Sequence, residues 1–272
     1  MQDILQISSP ECLIPAIEAN LSSWLPVFGN LGTYYADNPP GVKRAITDIP
    51  SALMNSVMDA RLAPGETDET IQAILSDAST RKVPILWWIG PSSRPSDLSQ
   101  RLEQHGFSFD DDTPGMWADL ASLNESLPVP PGLSFQLAED DASRQQWSLT
   151  MARANEVPPS SVGLVQDCWT RLLLLADPGT TFAYTAYLQG EPVATSLLFL
   201  AAGVAGIYSV ATVPEARRKG IGAQVTLYPL LQARSMGYRI GMLQASEMGH
   251  NVYRSLSFQE FCRVQVYRWK PS

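Results

Sequence analysis

The stretch that most constrains this chain is a junction between a strand and a helix. Val204–Val213 alternates like a β-strand and runs into Pro214. Gly220–Met236 has helical apolar spacing and stops before Gly237, a natural C-cap. Between the two lies Arg217-Arg218-Lys219-Gly220-Ile221-Gly222-Ala223. A helix leaves its first amide N–H groups unpaired and carries the positive end of its dipole there. Glycines let those amides approach an anion without a Cβ in the way, and three consecutive cations add charge beside them. Such a junction calls for a mixed α/β plan with a crossover helix, and it has the makings of a pyrophosphate cradle.

The surrounding pattern agrees. Asn124–Gly132 mixes proline, glycine and polar residues, which excludes a helix or a central strand and reads as a linker over 124–132. After it the expected order is a strand at Leu133–Ala138, helices at Asp141–Ala154 and Ser160–Ala176, and strands at Thr181–Leu188, Pro192–Ala201 and Val204–Val213. The junction helix comes next, then a strand at Arg239–Ala245, a helix at Met248–Leu256 and a strand at Phe261–Trp269. Gln189-Gly190-Glu191 is a hairpin signal, because glycine accepts positive φ.

The first half repeats part of this order. A strand is expected at Met54–Arg61, a helix at Asp68–Arg81, a buried strand at Pro84–Ile89, a helix at Pro95–His105 and a strand at Gly115–Leu120. Leu102–Phe107 parallels Tyr253–Phe258 in running from a short helix into a small residue and a Phe. The expectation is two tandem domains, 1–123 and 133–272, each a mixed, mostly antiparallel sheet flanked by helices. The first is degenerate. Its loop corresponding to the junction, Ala63-Pro64-Gly65-Glu66-Thr67, has no Arg or Lys, loses an amide to Pro64 and is followed by Asp68 and Glu69, so it would repel a pyrophosphate.

Charge narrows the ligand class. The net charge of −8 divides into −10 over residues 1–125 and +2 over 126–272. An acidic chain with its basic residues gathered at one loop suits a local anionic ligand and not nucleic acid. No apolar run is long enough for a membrane, since Arg171–Asp177 is short and charged at both ends. Met1-Gln2-Asp3 opens polar and acidic, unlike an export leader. Cys12, Cys168 and Cys262 form neither a metal pattern nor a disulfide framework. Together these imply a cytoplasmic protein without a metal, a monomer or a homodimer.

The run Val210–Ala223 resembles the acetyl-CoA-binding motif of the GNAT superfamily of N-acetyltransferases, and Tyr253–Phe258 is similar to that superfamily's Y-x-x-L-G-F signature, with Ser257 in place of Gly. The resemblance covers about residues 133–272. It implies that backbone groups of Val210, Ala211 and Thr212 pair with the pantetheine arm of acetyl-CoA. It also implies that the amides of Arg217, Arg218, Lys219, Gly220, Ile221, Gly222 and Ala223 take the pyrophosphate.

Transfer of an acyl group from a thioester to an amine needs a neutral amine, a stabilised oxyanion and a proton for the leaving thiolate. Tyr253 resembles the family's general acid; read on its own it would be a core tyrosine beside Leu256 and Phe258, and the cofactor loop upstream favours the acid. Ser246 stands where many members have an Asn bonded to pantetheine, or else it caps the following helix. Many members carry a glutamate base about twelve residues before the tyrosine, where this chain has Gly241. Glu247, Glu156, Asp167 or a water remain as substitutes. His105 suits a helix C-terminus, His250 a surface position and Trp87-Trp88 a strand core. The resemblance therefore implies acetyl transfer to a primary amine of a small molecule or peptide. The departures at 241 and 257 leave room for a non-catalytic acyl-CoA-binding sensor.

Overall fold

The computed structural model describes residues 4–6, 9–36 and 38–271. The opening Met1-Gln2-Asp3 lies outside the described residues. The elements are α1 (Pro10–Ser22), α2 (Trp24–Gly29), β1 (Gly32–Tyr35), β2 (Lys43–Thr47), β3 (Ser56–Met58), α3 (Thr67–Arg81), β4 (Ile85–Ile89), α4 (Leu98–Gln104) and β5 (Ser108–Asp119). They continue with β6 (Leu133–Leu137), α5 (Asp141–Ala154), α6 (Pro159–Leu175), β7 (Thr181–Leu188), β8 (Glu191–Ala201) and β9 (Val204–Thr212). The last are α7 (Ile221–Ser235), β10 (Ile240–Gln244), α8 (Glu247–Ser255) and β11 (Gln259–Trp269). The class is mixed α/β, as expected.

The chain forms two compact units, Met1–Ser9 with Met116–Phe261 and Pro10–Gly115 with Cys262–Ser272, here called the C-terminal and N-terminal units. In the C-terminal unit the strand order is β11-β5-β10-β9-β8-β7-β6, and in the N-terminal unit β1-β2-β3-β4-β11-β5. The routing is reciprocal. Residues 116–119 at the end of β5 belong to the C-terminal unit, while residues 262–269 of β11 belong to the N-terminal one. Met116, Ala118 and Leu120 sit in the core of the C-terminal unit with Leu227, Leu230 and Leu243; Tyr267 sits in the other core with Trp87, Ile71 and Leu102.

The segment 124–132 lies inside the C-terminal unit and is held there. Asn124 Nδ2 donates to Ser255 O at 3.0 Å, Arg234 Nη1 meets Glu125 Oε1 at 2.7 Å, and Gln224 Nε2 donates to Leu127 O at 3.1 Å. These bonds tie an irregular stretch to α7 and α8, so its backbone needs no ladder of its own.

Local chemistry sets the other boundaries. Asp140 and Ser143 form a reciprocal capping box that starts α5. Gln189 and Gly190 take φ of 54° and 88°, which turns β7 into β8. The expected strand over Met54–Arg61 is shorter. Residues 52–54 are a 3-10 turn, because Asn55 bonds Thr47 N, Ile49 O and Ser51 O through its side chain, and Asp59 leaves the strand at φ 53°. The final strand of the first half begins at Ser108 and not Gly115. Asp110 and Asp112, which look like loop, are strand residues paired with Arg268 at 2.8 Å and Arg263 at 2.7 Å on β11.

Candidate active site

The parallel pair β9 and β10 is joined over two registers, Ala205 with Gly241 and Gly206 with Met242. Beyond them β9 runs on to Thr212 without a partner in β10, and its residues change from buried at 204–207 to half-buried at 208–212. A bulge opposite Thr195–Leu197 helps turn the strand. Ser209 sits at φ 49°, and its carbonyl accepts from Thr195 Oγ1 at 3.0 Å. Val210, Ala211 and Thr212 therefore line an open strand edge.

That edge leads into the junction. A 3-10 turn at Pro214–Ala216 is followed by Arg218 at φ 62° and Gly220 at φ 79°. Gly220 is the N-cap of α7 and offers no side chain to the helix end. The first helical bond runs from Gln224 N to Gly220 O at 3.3 Å, so the N–H groups of residues 218–223 have no protein acceptor among the described residues. Six amides without a protein acceptor thus follow one another at the helix N-terminus, where the dipole favours an anion. A Cβ on Gly222 would meet only Thr212 Oγ1, at 3.9 Å, so protein packing does not require glycine there; the free space lies beside the cradle. These residues fit a diphosphate.

The three cations divide their labour. Arg217 Nε donates to Thr212 O at 3.0 Å, and its Nη2 donates to Ala154 O at 2.9 Å and Glu156 at 3.2 Å, so its guanidinium fastens the loop to the ends of β9 and α5. Lys219 Nζ is turned onto Glu215 O at 3.0 Å. Arg218 is exposed and has no hydrogen-bond or ion-pair partner among the described residues. It is the cation free to meet a ligand.

Tyr253, on α8, is buried to 6% exposure, and burial pushes its phenol up to about 12. Its hydroxyl has no hydrogen-bond partner among the described residues, yet it is not one of the sealed, orphaned polar atoms. Ser246 is the N-cap of α8 and accepts from Gly249 N at 3.2 Å. Its hydroxyl proton is still available for donation.

Gly241 faces the core. A Cβ there would lie 2.7 Å from Leu120 Cδ2 and 3.0 Å from Leu230 Cδ2, with Phe258 at 3.7 Å. The space is apolar core, and a carboxylate would be buried without a partner. Of the substitutes, Glu156 is bound to Arg217, Asp167 approaches Arg171 at 3.8 Å, and Glu247 is exposed in the first turn of α8. None is brought to Tyr253 by a bond the structure contains. His250 faces Glu260 at 3.6 Å, His105 bonds Asp68 at 3.1 Å, and Trp87 is fully buried.

The strap at 124–128 was not legible as part of this site. Gln224, in the first turn of α7, holds Leu127 O and Pro128 O, which places Pro128 O 3.7 Å from a Cβ on Gly220. Only its proline content marked it. Among the described residues no helix is long and apolar enough to cross a membrane, and no group of His, Cys, Asp and Glu could hold a metal.

The fold is that of the GNAT acetyltransferases. Residues 144–258 match the model of the Acetyltransferase (GNAT) family. A GCN5-related N-acetyltransferase from Kribbella flavida superposes with a TM-score of 0.72 at 18% identity, over 94% of this chain and 96% of its own. One from Sphaerobacter thermophilus gives 0.60 at 19%, over 85% and 76%. A tandem GNAT protein from the clavulanic acid biosynthesis pathway gives 0.57 at 15%, over 85% and 79%. A search of curated proteins returned no match.

Proposed function

We propose that this chain is a tandem GNAT-family N-acetyltransferase that moves an acetyl group from acetyl-CoA to a primary amine of a small molecule or peptide in the cytoplasm. The observation that carries the reading is the cradle of six unbonded amides at residues 218–223, set at the end of an open strand edge. When bound, acetyl-CoA supplies an activated thioester. The chain's own residues do the rest. The amides of 218–223 and the Arg218 guanidinium hold the diphosphate, and the edge at Val210, Ala211 and Thr212 aligns the amide-bearing arm. Ser246 can donate its hydroxyl proton to the same arm. Tyr253 keeps its proton at neutral pH, because a desolvated phenol resists ionisation, and it is the donor to the departing sulfur.

A second reading, a non-catalytic acyl-CoA-binding module, is favoured by one observation: Leu120 and Leu230 fill the place of a base at Gly241. Thiol release from acetyl-CoA across an amine panel separates the two. Turnover that falls more than about tenfold in Tyr253→Phe at unchanged CoA affinity supports the enzyme; binding without turnover on any amine supports the module.

A further inference from the structure

The N-terminal unit contains the same kind of parallel strand pair, but its chain takes a different course beyond that pair. β3 and β4 are joined over two registers, Ser56 with Leu86 and Val57 with Trp87, just as β9 and β10 are. In both units a helix, α3 or α7, connects the two strands, and a short helix, α4 or α8, comes after them. Residues 60–62 lie as far beyond Val57 as residues 209–211 lie beyond Gly206. In the C-terminal unit that stretch enters the open edge, which spans Val210–Thr212.

In the N-terminal unit the chain itself closes it. After β4 the backbone folds back over Gly90–Arg94. Ser93 N donates to Gly90 O at 3.0 Å, Gly90 N to Ser93 Oγ at 3.0 Å, and Ser92 N to Glu18 Oε1 at 2.9 Å. A Cβ on Gly90 would collide with the Glu18 carboxylate, so the turn is pressed onto α1. Arg94 then pairs alongside Arg61 as a parallel bridge: its N–H donates to Ala60 O at 2.8 Å, and its carbonyl accepts from Leu62 N at 3.2 Å. Arg61 N is taken by Gly41 O. These are main-chain bonds of the type an amide-bearing arm would make with a strand edge.

We propose that Gly90–Arg94 is a built-in plug, which occupies in the N-terminal unit the edge-pairing position that acetyl-CoA takes in the C-terminal one. The inference rests on the proposed function for the identity of that ligand. The plug and the acidic loop act together. Asp68 and Glu69 stand in the first turn of α3, where the other unit offers bare amides and Arg218. The chain accordingly takes one CoA, and the first repeat has become a permanently closed partner.

Peptide-resolved amide exchange of the full chain, with and without CoA, combined with native mass spectrometry, tests this. Peptides spanning 58–63 and 90–95 should be slow without ligand and unchanged by CoA, while 207–223 gains protection, at one CoA per chain. A second bound CoA, or CoA-dependent slowing at 58–63, overturns the plug. So does rapid exchange at 58–63 without ligand. If 207–223 does not respond and no CoA binds, the function proposed for the C-terminal unit falls, while slow exchange at 58–63 still upholds a closed edge. In Gly222→Val the CoA-dependent protection at 207–223 should be lost; CoA-dependent protection that appears at 58–63 in this variant would mark a second site and refute the plug.

Discussion

Gly249 lies directly under the ring of Tyr253: a Cβ at 249 would come within 2.6 Å of Cε2 and 3.2 Å of the hydroxyl. The two are one helical turn apart on α8, and the absence of a side chain at 249 sets where the phenol rests. Gly249→Ala should move the ring and lower turnover at least fivefold with little change in CoA affinity. Tyr253→Phe, which keeps the ring and removes the donor, should lower thiol release more than about tenfold, equivalent to about 1.4 kcal/mol of barrier. Steady-state thiol release and calorimetry check both. Normal turnover in Tyr253→Phe removes the residue from the chemistry.

A glutamate placed at 241 should not serve as a base. Gly241→Glu places a carboxylate among Leu120, Leu230 and Phe258, and denaturant unfolding should show a loss of roughly 3 kcal/mol or more with no gain in rate. A stable, faster variant would mean that the core has room there after all.

Neighbouring arginines should behave differently. Arg217→Ala removes bonds to Thr212 O and Ala154 O and should cost about 1–2 kcal/mol of stability. Arg218→Ala should leave the melting point alone and weaken CoA binding roughly three- to tenfold, an effect that fades as salt rises. Titrations at several salt concentrations should give a shallower slope for Arg218→Ala than for the parent; equal slopes would exclude a contact with the diphosphate.

Alkaline stability should report the buried phenol. Tyr253 ionises near 10 when unfolded and is pushed up to about 12 when folded, so the unfolded chain releases its proton first. Stability from this group is intact below pH 10 and declines between 10 and 12, by on the order of 3 kcal/mol. Tyr184, also pushed up to about 12, adds to the same decline. Tyr253→Phe should flatten the curve in that window; an identical curve would show that the phenol is well solvated.

Cutting the chain within 124–132 should not release two independent folds. A fragment 133–272 lacks Met116, Ala118 and Leu120 from its core, and a fragment 1–123 lacks Tyr267. Expressed separately, each should aggregate or show poorly dispersed NMR spectra; co-expressed, they should purify together. Two monomeric, cooperatively melting fragments would contradict the strand routing.

The second half could be read from the sequence because its strands alternate, its hairpin carries Gly190, and its helices end at glycine or are capped by Asp140. α1 to β2 escaped, since Pro15 lies inside α1 where a proline argues against a helix, and Lys43-Arg44 opens β2 with charges that only tertiary partners explain: Lys43 meets Asp59 at 2.7 Å, and Arg44 lies 4.3 Å over the Tyr35 ring. The amide cradle was legible because it depends on backbone and on local order. The fastening role of Arg217 was not, because Ala154 is 63 residues away. The packing over Gly241 was hidden for the same reason, since Leu120 arrives from the end of the first half.

The reciprocal strands also bear on how the chain is made. A ribosome delivers Pro10–Gly115 first, yet that unit's sheet has a gap between β4 and β5 until residues 262–269 emerge. Synthesis at about 5–20 residues per second leaves the first-made unit unfinished for many seconds, with Trp87 and Tyr267 not yet in one core. The N-terminal unit therefore waits for its last strand, and damage to residues 262–269 would be felt among residues made well before them.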